Sequence, residues 1–145
     1  MVTEEMMPEK QAARQGSGLS AGTGWIWWAT VVLLLAAAMR LIALSDIPPG
    51  LAQDEVLNAD IVTFIRQGAH TLFFREGYGH EPLYHYWSVP FQVLLGDNVL
   101  SMRLPAAVLG IFVVALTMRW AKRSFDPVAA VTAGLFLAVS WWPII

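Results

Sequence analysis

The chain contains no cysteine, which excludes disulfides, thiolate catalysis and thiolate-ligated metals. It leaves the compartment open, because an extracytoplasmic face does not require disulfides. Charge is also scarce: 14% of the 145 residues are Asp, Glu, Lys or Arg, against 57% hydrophobic ones. A soluble domain of this size usually carries nearly twice that charged fraction. The formal net charge of −2 is too small to mark a nucleic-acid binder, and no basic stripe is interleaved with aromatics. Nucleic acid is therefore not an expected partner. No internal repeat divides the chain.

What the sequence does hold is long apolar runs. Residues 1–24 are polar, with Glu4, Glu5, Glu9, Lys10 and Arg14 leading into a Gly/Ser-rich stretch; they cannot bury a core and read as a disordered cytoplasmic tail. Residues 25–44 carry Arg40 as their only charge and have the length at which a helix crosses about 30 Å of hydrocarbon. Trp25, Trp27 and Trp28 stand at the start of this run, where indole rings settle at headgroup level, and Arg40 is close enough to its far end to snorkel. The run is longer than the apolar segment of a signal peptide and no clean small-residue cleavage site follows it, so an uncleaved anchor is the expectation. Two further spans are expected, at about residues 103–121 and 127–145. The first ends in Arg119, Lys122 and Arg123; the second is opened by Asp126-Pro127 and carries Trp141-Trp142 near its end. Because the chain stops inside that last run, a fragment of a larger polytopic protein is expected, inactive by itself.

Between the first two spans lie two amphipathic segments. In residues 53–67, Leu57, Ile61, Phe64 and Ile65 share one helical face while Asp54, Asn58 and Arg66 lie elsewhere, and Gly68 is placed to end the helix. In residues 82–95, Leu83, Trp87, Phe91 and Leu94 form one side and His85, Ser88 and Gln92 another, with Pro90 as an interruption. Both are expected to lie at the membrane interface, the second being interfacial or re-entrant rather than a short span. This choice sends the basic cluster after residue 118 into the cytoplasm, as the positive-inside rule prefers. The expected fold class is thus an all-α polytopic membrane protein with about three spans and two interfacial helices. It would sit in the cell membrane with its N-terminus cytoplasmic and residues 45–102 outside.

Chemistry concentrates in that external loop. Asp54 and Glu55 open the first interfacial helix, where acidic residues also complement the helix dipole. Arg66, His70, Arg75, His80, Glu81 and His85 follow, among the aromatics Phe73, Phe74, Tyr78 and Tyr84. A carboxylate here would take a proton from an attacking hydroxyl or amine, cations would neutralise a phosphate leaving group, and aromatic faces suit sugar rings. Solvated anchoring is the plainer role for the arginines, and headgroup hydrogen bonding for the histidines. His80, Glu81 and His85 are suitable metal ligands by type, but their spacing matches no standard template.

An Asp-Glu pair after a first span, then Pro-Leu-Tyr-x-Tyr-Trp at 82–87, then Arg-Leu-Pro-Ala-Ala-Val-Leu-Gly at 103–110 leading a span that ends in basic residues: in this order, the motifs resemble the N-terminus of a GT-C type glycosyltransferase. The nearest pattern is that of bacterial relatives of protein O-mannosyltransferases and lipid A aminoarabinose transferases. The resemblance covers about residues 41–145. It implies a polyprenyl-phosphate-linked sugar donor and a glycan, lipid or protein acceptor at the extracytoplasmic side of the bilayer, with a divalent metal as an open question. It also implies Asp54 as general base or acceptor-orienting residue, with Glu55 as its partner. The family often carries Lys-Pro or His-Pro-Pro beside the lipid phosphate; here that place holds His80-Glu81-Pro82, which shifts the expected phosphate contact to His80, Arg66 or Arg75. Arg103 would stand at the external end of the second span, as a phosphate contact or as an interface anchor. Rival expectations are a transporter component, which would place ionisable residues mid-span, and a non-catalytic anchoring or assembly module, which would need neither the carboxylate pair nor the aromatic loop.

Overall fold

The computed structural model describes residues 23–76 and 79–140. The expected N-terminal tail to Gly22, the loop residue Tyr78 and the Trp141-Trp142 pair lie outside the described residues. Among the described residues five helices follow in order: α1 (Thr23–Leu41), α2 (Gln53–Arg66), α3 (Pro82–Leu95), α4 (Val99–Ser124) and α5 (Pro127–Val139). Among the described residues the one extended pairing is an antiparallel bridge between Phe74 and His80. The all-α expectation holds. Two helices, α1 from Gly24 onward and α4, are long and apolar enough to cross a membrane. Of the third expected span, residues 127–145, the described part is α5, which ends at Val139; its 13 residues cover about 20 Å, and residues 141–145 lie outside the described residues.

Helix ends follow local rules. Asn98 caps α4 by accepting from Ser101 N, and Ser101 Oγ accepts in return from Asn98 N, a reciprocal cap. That cap starts α4 well before the apolar run does. Asp126 caps α5 by accepting from Ala129 N, with Pro127 at the first helical position. Gly68, at φ +101°, ends α2 in a conformation that side chains rarely adopt. Pro90 does not break α3, which runs unbroken from Pro82 to Leu95. A single missing N–H forfeits one hydrogen bond, and the remaining turns hold the axis.

α1, α4 and α5 form a bundle. Lys122 of α4 lies over the Trp25 ring of α1, while at the other end Arg103 of α4 bonds to the carbonyl of Leu44 just past α1; the two helices are therefore antiparallel. α5 runs parallel to α1, since Gly134 approaches Val32 and Ala138 meets Arg40. Val32, Ala36, Val114, Met118 and Ala138 form the shared core. On α5, Ala130, Gly134 and Ala138 are all buried at a spacing of four, the small-residue stripe that lets helix backbones approach closely.

Arg40 does not snorkel. It is buried, and its guanidinium donates to the carbonyls of Ala36, Leu137 and Ala138. The last carbonyls of α5 have no partner within their own helix, and the α1 arginine supplies one.

α2 and α3 dock at the opposite end of α4 from its basic cluster. Ile61, Ile65 and Phe74 make a second apolar core, with Leu57, Tyr86 and Val89 packed against it. Trp87 Nε1 donates to the Pro105 carbonyl of α4. The orientation of α3 is opposite to that of a helix in water. His85 and Gln92 are 2% exposed, whereas Leu83 and Leu94 are each 81% exposed. Its polar side faces α2 and α4, and its apolar side faces outward.

Candidate functional site

The end of α4 that receives α2 and α3 is organised around Arg103. Its Nε and Nη2 donate to the two carboxylate oxygens of Glu55, at 2.7 and 3.0 Å. Nη1 donates to the carbonyls of Leu44 and Pro48, and Nη2 also to that of Gly50. A guanidinium has five N–H groups in a fixed fork, and here each finds an oxygen. The α1–α2 loop is wrapped round this side chain, and Glu55 pins the first turn of α2 to it. Glu55 Oε2 also accepts from Ala52 N.

The hydrogen bond from Arg103 holds the Glu55 carboxyl below the usual carboxylate range; partial burial opposes this, and the Ala52 amide adds to it. Glu55 is thus an ionised structural partner and a poor base. The expectation that Arg103 anchors at the interface or binds phosphate is corrected. It is buried, and no donor is left for a ligand.

Asp54 is in the same turn, exposed, and has no ion-pair partner among the described residues. One turn further on, Asn58 Oδ1 lies 3.0 Å from His85 Nε2, while His85 Nδ1 is bonded to the Glu81 carbonyl oxygen at 3.0 Å. Burial lowers the His85 pKa, the Glu81 carbonyl opposes this, and His80 lowers it further. The His80 ring stands edge-on to His85 with centroids 5.5 Å apart, and Tyr84 flanks the same ring. Burial pushes the Tyr84 phenol up; the Ser88 hydroxyl opposes the shift and the Glu55 carboxylate adds to it.

The structure therefore gathers Asp54, Glu55, His80, Glu81, His85 and Arg103 at one end of the bundle. Arg75 follows Phe74, the residue that bridges to His80, and has an exposed side chain and no ion pair among the described residues. Arg66 is not part of the group. Twelve residues along α2 place it about 18 Å from Asp54, where it pairs with Asp97; its expected phosphate role is corrected accordingly. A metal held by His80, Glu81 and His85 does not fit, since both His85 nitrogens are engaged. Among the described residues, no three His, Asp or Glu side chains converge for an ion.

Residues that sequence reasoning passed over complete the site. Asn58 holds His85; Ser88 and Gln92 line a narrow gap between α2, α3 and α4, together with Ala59, Val62 and Met102; and Ser101 closes the cap of α4. The i, i+3, i+7 spacing of His85, Ser88 and Gln92 was the available signal. No family model matches the chain, and no curated protein or solved structure is similar to it.

Proposed function

We propose that these helices are the N-terminal part of a membrane glycosyltransferase that moves a sugar from a polyprenyl-phosphate donor to an extracytoplasmic acceptor. The observation that carries this reading is the division of labour in the Asp-Glu pair. Glu55 is locked to Arg103, and the locked turn presents Asp54 free and exposed at the end of the bundle.

Membrane placement is supported by what faces outward. Trp27, Trp28 and Leu34 on α1, Phe112 and Leu116 on α4, and Phe136 on α5 are all exposed. A core helix of a soluble protein would bury them. Arg103 and Lys122 bracket about 28 Å of α4, close to the thickness of a hydrocarbon core. The outward apolar side of α3 suits a helix lying against lipid with its polar side inward.

In the proposed step the acceptor hydroxyl or amine gives its proton to Asp54 and its lone pair to the anomeric carbon. The bond from that carbon to the phosphate oxygen breaks in line, and the electron pair leaves on the lipid phosphate. Arg75, an exposed cation, and His80, whose ring stands edge-on to His85, are the proposed partners of that charge. Replacing Asp54 by Asn in the full-length protein is expected to lower sugar transfer by about a hundred- to ten-thousand-fold with helix content unchanged. Wild-type transfer by that variant rejects the base assignment.

A second reading, a non-catalytic anchoring or assembly module, draws support from Glu55, His85 and Arg103, which spend their polar groups on the fold itself. Under that reading Asp54→Asn changes nothing that can be measured.

A further inference from the structure

The end of the bundle away from Asp54 holds a groove of about 350 Å³ between α1 and α4. Ala29 and Leu33 of α1 and Ala115 and Met118 of α4 form its walls. Its outer rim is cationic. Arg119, Lys122 and Arg123 stand at i, i+3 and i+4 and so share one side of α4, and all three line the groove. Lys122 Nζ lies 4.4 Å from the centroid of the Trp25 ring, so the aromatic ring holds the ammonium at the mouth. Among the described residues no carboxylate pairs with any of the three, and Asp126 nearby is committed to capping α5.

Complementing the dipole at the C-terminus of α4 accounts for positive charge there. It does not account for a groove between two helices whose rim is cationic and whose inner walls, Ala29, Leu33 and Ala115, are apolar. The same end carries Trp27, Trp28, Trp120 and Phe125, all exposed, an aromatic girdle of the kind found at headgroup level. An occupant of this groove needs one anionic head for the rim and an apolar tail for the walls, entering from the hydrocarbon side.

We infer that the α1–α4 groove is a binding site for an anionic phospholipid, its phosphate on Arg119, Lys122 and Arg123 and an acyl chain against Ala29, Leu33 and Ala115. The inference rests on the membrane placement of α1 and α4, and not on the transferase reading. Basic pockets between membrane helices bind such headgroups by this combination of charge and cavity.

The test is native mass spectrometry of the whole chain released from vesicles of phosphatidylcholine and phosphatidylglycerol in equal amounts. The wild type is expected to retain phosphatidylglycerol in excess. An Arg119→Gln, Lys122→Gln, Arg123→Gln variant should lose that excess by about tenfold or more. Ala29→Phe keeps all three cations but fills the groove, and should lose it too. Equal retention of the two lipids by the wild type overturns the inference, as does an unchanged preference in Ala29→Phe, which would reduce the effect to surface charge. A preference that emerges only after deletion of residues 2–20 also overturns it, making the acidic N-terminal segment the occupant. Resistance of the wild type to alkaline extraction from membranes is measured separately. A protein that washes off refutes the membrane placement itself, whereas one that stays but shows no preference refutes only the lipid site.

Discussion

Arg103 shows how much one side chain organises. Five N–H groups meet three backbone carbonyls and one carboxylate, so its removal leaves Glu55 and the α1–α2 loop without partners at once. Arg103→Ala is expected to cost about 3–5 kcal/mol, and Arg103→Lys most of that, because an ammonium cannot reproduce the fork. Thermal unfolding in detergent, followed by circular dichroism, reads both; a melting point within a degree of wild type for Arg103→Ala would refute the clamp. Glu55 adds a pH dependence of definite sign. Its folded pKa lies below the usual 4.5, so below that value the unfolded chain binds the proton more readily than the folded one. The stability it contributes is fully present above pH 4.5 and is lost as pH falls below it. Glu55→Gln should start lower and flatten that acid limb, and a variant with an undiminished acid limb would place the titration elsewhere. Sequence reading put both residues among the site candidates but did not pair them. They are 48 positions apart, and no local periodicity encodes such a contact.

At the scale of the element, α5 packs through a stripe of small residues, which lets the backbones of neighbouring helices come into close van der Waals contact. A Cβ at Gly134 would clash with Met118 Cγ and stand 3.1 Å from Val32 Cγ1, and Met118 is itself buried. Gly134→Ala is therefore expected to destabilise by about 1–3 kcal/mol through overpacking. Met118→Ala in the same chain makes room, so the double variant should be less damaged than the two single costs combined, by about 1 kcal/mol in a double-mutant cycle. Additive costs would show that the contact is not the cause. The helices themselves were legible in the sequence where the signal is local: Asp126-Pro127 marks the start of α5 and Gly68 the end of α2. The start of α4 was misplaced because an apolar run begins only at Leu104, whereas the chain begins the helix at its Asn98 cap. The polar stripe of α3 is legible as the i, i+3, i+7 spacing of His85, Ser88 and Gln92, but an amphipathic pattern fixes only that two sides exist; that this stripe packs against α2 and α4 depends on contacts that no local periodicity encodes.

For the molecule as a whole, the arrangement of α3 decides the topology of everything after it. With the N-terminus cytoplasmic, as proposed, α4 returns to the cytoplasm and the α4–α5 turn is inside if α3 lies at the interface; if α3 crosses, that turn is outside. The packing favours the first arrangement, because α2 and α3 both dock at the Arg103 end of α4 while the α4–α5 turn is at the Lys122 end. A chain without cysteine makes this directly measurable, since any introduced thiol is unique. Leu72, in the α2–α3 loop, and Phe125, after α4, are both highly exposed, and neither takes part in the clamp or in the α5 stripe. Leu72→Cys should react with a membrane-impermeant maleimide on intact cells, and Phe125→Cys only after permeabilisation. Labelling of both from outside means that α3 or a neighbouring segment crosses, and it moves Arg119, Lys122 and Arg123 to the wrong side for the positive-inside preference. Labelling of Phe125→Cys alone inverts the molecule, and with it places Asp54 in the cytoplasm, where an acceptor outside the cell is beyond its reach.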